Sequence, residues 1–289
     1  MVAPCPPPLP PGRPRQRLPE GSVDCHIHVT PPGAPLAPGH GYVPAPCTLA
    51  DYRAVMAALG IARAVLVQPS IYGTDNRALL AALAAAGPGW RGVAVLPPEV
   101  PAAALAALDR RGVRGVRLNT AWPGGLALAD APALAARIAP LGWHLQFLAP
   151  GDSLEAVCRL VPTLPVPCVI DHLGLADPRR GPGQPGFRRL LGLVESGRCW
   201  VKLSAPYRVG RAGPPHADLA PLVAALLAAN PERLVWGSDW PHVDLPHVDG
   251  PAAMPDDADL ADLLAAWVPD AAARRRILVD NPAALYGPA

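Results

Sequence analysis

Eight short segments rich in Val, Ile or Leu recur along this chain, separated by Ala- and Leu-rich stretches of helical length. They are SVDCHIHV (22–29), RAVLVQP (63–69), RGVAVLP (91–97), RGVRLN (114–119), WHLQFL (143–148), PCVIDHLG (167–174), CWVKLSA (199–205) and RLVWGSDW (233–240). Each has strand length and is apolar enough for a sheet buried on both faces, the situation of parallel strands covered by helices. The stretches between them, such as TLADYRAVMAALG and TDNRALLAALAAAG, place Thr48 and Thr74 where a helix N-cap is wanted. Glycines at 60, 87 and 112 stand where a C-cap is wanted. Eight strand-and-helix units predict one α/β domain, a single (β/α)8 barrel of the TIM type. No Gly-rich phosphate loop follows any strand, which counts against an open nucleotide-binding sheet. The barrel is assigned to 21–289, and the Pro- and Arg-rich residues 1–20 to a disordered N-terminal extension.

Composition narrows the classes further. With 51% hydrophobic and 17% charged residues the chain can build a large core. A net charge of +2 gives no electrostatic reason to expect nucleic acid or an anionic membrane as a partner. Arg274, Arg275 and Arg276 read as the last turn of a helix, where cations suit the helix dipole. The six cysteines (Cys5, Cys25, Cys47, Cys158, Cys168 and Cys199) form no C-x-x-C pair and are expected as reduced thiols of a cytoplasmic protein. Proline interrupts every apolar run of the N-terminal residues, so no secretory signal is expected there, and no apolar stretch reaches membrane-spanning length. The expected partner is a small-molecule substrate, and the oligomeric state is left open.

Long Pro- and Gly-rich connections follow strands one, four, six, seven and eight, all at C-terminal strand ends, where barrel enzymes build their sites. Polar residues collect at the same ends. His26 and His28 are two apart on strand one and share a side of the sheet, His172 ends strand six, and Asp239 ends strand eight. H-x-H on strand one, His after strand six and Asp after strand eight resembles the pattern of the amidohydrolase superfamily. QPSIYGTDN (68–76), RGVRLN (114–119), IDHLG (170–174), KLSAPYR (202–208) and WGSDWPH (236–242) are similar to the branch containing 2-pyrone-4,6-dicarboxylate lactonase.

That resemblance implies hydrolysis of a carboxylated lactone. Asp239 would activate water, and His26, His28 and His172 would polarise the carbonyl and stabilise the oxyanion. Arg117 and Arg208 suit capture of a substrate carboxylate, and Tyr42 and Ser70 match substrate-binding positions of the branch. The branch implies catalysis without a required metal. Binuclear relatives bridge two metals with a carboxylated lysine or an acid on strand four or five. Here Lys202 lies on strand seven, and neither RGVRLN nor WHLQFL contains an acid. His144 stands at the start of strand five, far from the mouth, so a Zn²⁺ on His26, His28 and Asp239 would have an incomplete ligand set. The alternative function is a Zn-dependent decarboxylase of the same superfamily using His26, His28, His172 and Asp239. Lys202, the only lysine, is expected to pair inside the barrel with a carboxylate such as Asp24 rather than to form a Schiff base. The chain also departs from the branch: Pro123 or its neighbours, Leu175, and Phe147 or Leu148 replace two cations and a tyrosine, so a lactone with fewer carboxylates or a more apolar ring also fits.

Overall fold

The computed structural model describes residues 4–120, 126–243, 245 and 254–288; Pro123 lies outside them. All eight expected segments become strands: β1 Val23–Ile27, β2 Arg63–Val67, β3 Arg91–Ala94, β4 Val113–Asn119, β5 His144–Leu148, β6 Cys168–Ile170, β7 Cys199–Ser204 and β8 Leu234–Gly237. They form one sheet in chain order from β1 to β8, each pairing parallel to the next. The ring closes just beyond the end of β8. The His28 amide donates to the Trp240 carbonyl (2.8 Å), and the Asp239 amide donates to the His26 carbonyl (2.9 Å). The fold is therefore a (β/α)8 barrel, and its closing seam joins the backbone of His26 and His28 to that of Asp239.

The helices in chain order are α1 Leu49–Leu59, α2 Arg77–Ala86, α3 Ala102–Arg110, α4 Ala131–Ile138, α5 Asp152–Leu160, α6 Pro185–Glu195, α7 Pro206–Val209, α8 Ala220–Ala229, α9 Asp257–Trp267, α10 Ala271–Arg275 and α11 Asn281–Tyr286. Thr48 caps α1 in a capping box with Asp51, and Gly60 ends it in the left-handed region (φ 82°), as its sequence requires. Thr74 does not cap α2. The helix starts after Asn76, whose amide group instead joins Thr74 O and both backbone groups of Val95. No helix of the described residues is long and apolar enough to cross a membrane.

Two apolar layers surround the strands. Outside, residues such as Ile27, Leu66, Val116, Leu145 and Ile170 pack against the helices. Inside, Val23, Cys25, Val65, Val67, Val93, Val169, Trp200 and Val235 meet Tyr286 from α11. The described residues before β1 lie along the barrel: the Cys5 amide donates to Val43 O, Gly12 N to Asp256, and Arg15 N to Asp262. None of the six cysteines is in a disulfide.

Candidate active site

β1 does not keep a strict two-residue alternation. Val23 and Cys25 belong to the inner layer, yet Ile27 packs in the outer one, and the register against β2 shifts between Asp24 and Ile27. The irregularity re-aims the strand end, so His26 and His28 face the interior and Asp24 faces outward. Asp24 takes hydrogen bonds from Ser238 Oγ (2.6 Å), Tyr52 OH (2.9 Å) and the amides of His26 and Ser238 (each 3.0 Å). Burial nonetheless pushes its carboxyl up to about 6. Gly237 faces His26 across the seam; a Cβ there would stand 2.7 Å from the His26 Cβ, so only glycine permits the approach.

β6 and β8 stop earlier than the sequence suggests. His172 lies two residues beyond Ile170 and Asp239 two residues beyond Gly237, both with positive φ (53° and 66°). Such backbone in non-glycine residues persists only where the surroundings impose it, and it gathers at functional sites. The turns bring the side chains together. Asp239 Oδ1 lies 3.5 Å from His26 Nε2, 3.5 Å from His28 Nε2 and 3.7 Å from His172 Nε2. Its other oxygen accepts from Tyr207 OH (2.6 Å) and Arg208 Nε (2.9 Å). One face of the carboxylate is thus clamped while the other points at three imidazoles.

The far nitrogens fix the rings. His28 Nδ1 lies 2.7 Å from Val67 O, which can only accept, so this nitrogen carries a hydrogen and Nε2 is the atom turned toward Asp239. His172 Nδ1 is 2.8 Å from Ser204 Oγ, and His26 Nδ1 is 3.3 Å from both Lys202 Nζ and Asp171 Oδ1. Burial lowers the His172 pKa to about 4 and, with Lys202 nearby, holds that of His26 well below its usual value. Burial alone would raise the Asp239 carboxyl, but His172 and Arg208 outweigh it and hold it well below the usual range.

Beneath the histidines lies a second charged layer. Lys202 donates to Gln146 Oε1 (2.8 Å) and Cys25 O (2.9 Å), with Asp171 Oδ1 at 3.5 Å. Arg117 Nε and Gln146 Nε2 both donate to Asp171 Oδ2, at 3.2 and 3.0 Å. The partner of Lys202 is therefore Asp171 and not Asp24, because the slip in β1 turns Asp24 away from the interior. Burial would raise the Asp171 carboxyl, but Lys202, His26 and Arg117 together hold it well below its usual range.

The other sequence candidates ring this cluster. Arg117 and Arg208 each bond a carboxylate of the site, Asp171 and Asp239 respectively. Ser70 Oγ accepts from Asn119 Nδ2 (2.5 Å). Tyr42 packs with Ile71, Tyr72 and Val243 and lies close enough to Arg208 to act on its charge. His144 is the first residue of β5, with both ring nitrogens buried and unbonded, its ring edge-on to Tyr286. Sequence reading passed over Asp171, Gln146, Ser204 and Tyr207. The first and last stood inside IDHLG and KLSAPYR, where an acid beside His172 and a tyrosine beside Arg208 were the available signals.

The cluster also fits one divalent cation. Nε2 of His26 and His28 and Oδ1 of Asp239 lie within 4.8 Å of one another, and His26 Nε2 has no hydrogen bond. Separations of 3.5 Å match the edges of a tetrahedron with metal–ligand bonds of about 2.1 Å. Among the described residues, no acid or lysine at the ends of β4 or β5 is placed to bridge a second ion, and Lys202 stands on β7, bonded as described.

A family model described as Amidohydrolase matches residues 23–287 of the chain. The chain is 37% identical over 276 residues to 4-sulfomuconolactone hydrolase of Rhizobium radiobacter, covering 93% of this chain and 91% of that protein. It is 35% identical over 295 residues to 2-pyrone-4,6-dicarboxylate hydrolase of Comamonas testosteroni, covering 96% and 94%. Among solved structures, an Agrobacterium tumefaciens protein in its apo form superposes with a TM-score of 0.85 at 33% identity, over 96% of this chain and 98% of that one.

Proposed function

The chain belongs to the amidohydrolase family, and on that premise we propose that it is a lactone hydrolase acting on a carboxylated lactone resembling 2-pyrone-4,6-dicarboxylate. The observation that carries the reading is Asp239, clamped by Tyr207 and Arg208 on one oxygen and facing three imidazole Nε2 atoms with the other. The names of the two curated relatives above both contain a lactone or pyrone ring bearing acidic groups.

In this reading Asp239 takes a proton from a water molecule whose oxygen attacks the lactone carbonyl carbon. Nε2 of His28, 3.5 Å from Asp239, helps to hold that water. With His172 Nδ1 accepting from Ser204 Oγ–H and His26 Nδ1 accepting from Lys202, both rings would turn an Nε2–H toward the developing oxyanion. When the ring C–O bond breaks, Asp239 returns its proton to the leaving oxygen, and lactone plus water has become a hydroxy acid. Arg208 keeps Asp239 ionised and also weakens it as a base, so the rate gain rests on the preorganised donors as much as on the carboxylate. Ser70, Tyr42, Arg117 and Arg208 receive the substrate. The chain's own groups suffice for these steps, and no metal is required. A divalent cation held by His26, His28 and Asp239 would supply Lewis acidity at the carbonyl.

A Zn-dependent decarboxylase is the second reading, favoured by that same ligand set. Its weakness is strand five, where the histidine stands at the end away from the mouth. A panel of carboxylated lactones and unsaturated acids, assayed for proton release and for CO₂ after chelation and again with added Zn²⁺, separates the two. The lactonase reading expects proton release that survives chelation. CO₂ release that depends on Zn²⁺ would replace it with the second.

A further inference from the structure

Beside the cluster, at the C-terminal mouth, a cavity of about 380 Å³ opens between the connections that follow β5, β6 and β7. It reaches the cluster at Arg208, whose Nε bonds Asp239. It also begins where the left-handed turn carrying His172 ends: His172, Leu173, Gly174 and Leu175 all have positive φ, and Gly174 and Leu175 line the cavity. Its volume lies within the range of roughly 300–1,000 Å³ of small-molecule sites.

The charges around it do not balance. Two acids line it, and each already has its own cation: Glu155 bonds Arg159 (2.8 Å) and Arg189 (3.2 Å), and Asp177 bonds Arg179 (2.6 Å). Of the three lining arginines, Arg208 is held by Asp239. Arg180 and Arg211 remain, both exposed, and no carboxylate of the described residues forms a salt bridge with either guanidinium; Asp218 accepts only from the Arg211 backbone amide (2.6 Å), and Asp177 acts on Arg211 through its charge. The first turn of α6 lines the same cavity with no acidic residue and no side-chain cap, which adds positive potential. Leu154, Leu175 and Phe187 supply apolar wall. Two guanidiniums with no salt bridge of their own, over an apolar wall, suit a flat ring bearing an oxyanion.

We propose that this cavity is a specificity subsite in which Arg180 and Arg211 hold an anionic substituent, a carboxylate or a sulfonate, of the substrate whose reacting carbonyl sits at Asp239. The substrate part of this statement rests on the lactonase reading; the anion site does not. The two arginines come from different connections, Arg180 from the turn at Pro178–Arg180 after β6 and Arg211 from the segment after α7. They select substrate by charge and take no part in bond breaking.

Isophthalate, a planar ring dianion without an ester bond, tests the site directly by calorimetric titration, with 3-sulfobenzoate as the sulfonate arm and benzene-1,3-dicarboxamide as the neutral control. The wild-type protein is expected to bind one or both anions in a salt-sensitive manner and to bind the diamide more weakly. Arg180→Ala with Arg211→Ala should weaken anion binding by about 10- to 100-fold and leave the diamide unchanged. Arg180→Lys with Arg211→Lys should retain most of the affinity. Both positions are exposed, so the fold should survive, and an unchanged melting temperature checks that. On a carboxylated lactone the alanine pair should raise KM and leave kcat nearly as it was. Equal affinity for anion and diamide, no anion binding by wild type, or full affinity in the alanine pair would overturn the proposal. A protein that binds isophthalate through these arginines but opens no lactone would sink the lactonase reading and leave the subsite standing.

Discussion

At one end of the barrel interior Val23, Cys25, Val65, Val169, Trp200 and Val235 close around Tyr286. At the other end the barrel presents His26, Gln146, Asp171 and Lys202, all fully buried, and Arg117 nearly so. Both ends are buried, but they solve the problem of burial differently. The apolar end gains from area removed from water. The polar end gains little, because desolvating charges offsets most of their mutual attraction. What it provides is placement: Arg117 and Gln146 hold one oxygen of Asp171, Tyr207 and Arg208 hold one oxygen of Asp239, and Val67 and Ser204 hold the far nitrogens of His28 and His172. The lower end holds the fold, and the upper end spends part of that stability on orientation, as expected for a preorganised site.

Breaking the upper end at its centre should have the largest effect. Asp239→Asn should lower kcat by about a thousandfold or more in a lactone proton-release assay while the melting temperature stays near wild type. Near-normal turnover would remove Asp239 from its role. Lys202→Met should act on stability as well. It leaves Asp171 buried with fewer cations, and urea titration should show a loss of about 3–5 kcal/mol. Adding Asp171→Asn should restore much of that stability without restoring activity. A single variant as stable as wild type would contradict the ion-pair account.

The lower end carries its own titratable group, and the sign of its effect is definite. Burial pushes the His144 pKa down from 6.5 to about 3. The folded state therefore resists protonation more than the unfolded chain does. Its contribution is fully present above the unfolded pKa of 6.5 and is lost as pH falls towards 3. His144→Met should remove about 2 kcal/mol of the decline in stability between pH 7 and pH 5. An unchanged pH slope would show that His144 is solvated or bonded. Asp24, raised to about 6, works in the opposite direction and loses its contribution as pH rises through that value. Smallest of all is Tyr286→Phe. The Tyr286 hydroxyl is buried without a hydrogen bond, so its removal should change stability by less than about 1 kcal/mol, or raise it.

The strands were legible because a parallel barrel strand is apolar on both faces, and each of the eight segments carried that signature. His26, His28, His172 and Asp239 were legible because polar residues at the ends of such strands have few structural uses. What the sequence hid was direction. The slip between Asp24 and Ile27 depends on how β1 meets β2 and on the seam with Asp239, contacts far apart in the chain. A strict alternation from Val23 and Cys25 would have sent His26 and His28 outward, and the slip turns both inward. The same slip explains why Lys202 finds Asp171 rather than Asp24. α2 starts after Asn76 and not after Thr74, and the Asn76 amide is taken up by Val95 beyond β3, a tertiary demand that local propensity does not register. Tyr207 was hidden for a simpler reason: nothing local tells a tyrosine that packs from one whose hydroxyl holds a carboxylate.

The central claim is that water directed by Asp239 attacks the carbonyl of a carboxylated lactone. Ring opening in ¹⁸O-labelled water, with the product weighed by mass spectrometry, addresses it most directly. The account predicts one ¹⁸O in the newly formed carboxylate, no CO₂, and loss of the labelled product in Asp239→Asn. Label in the new hydroxyl, release of CO₂, or labelled product formed at the wild-type rate by Asp239→Asn would contradict it.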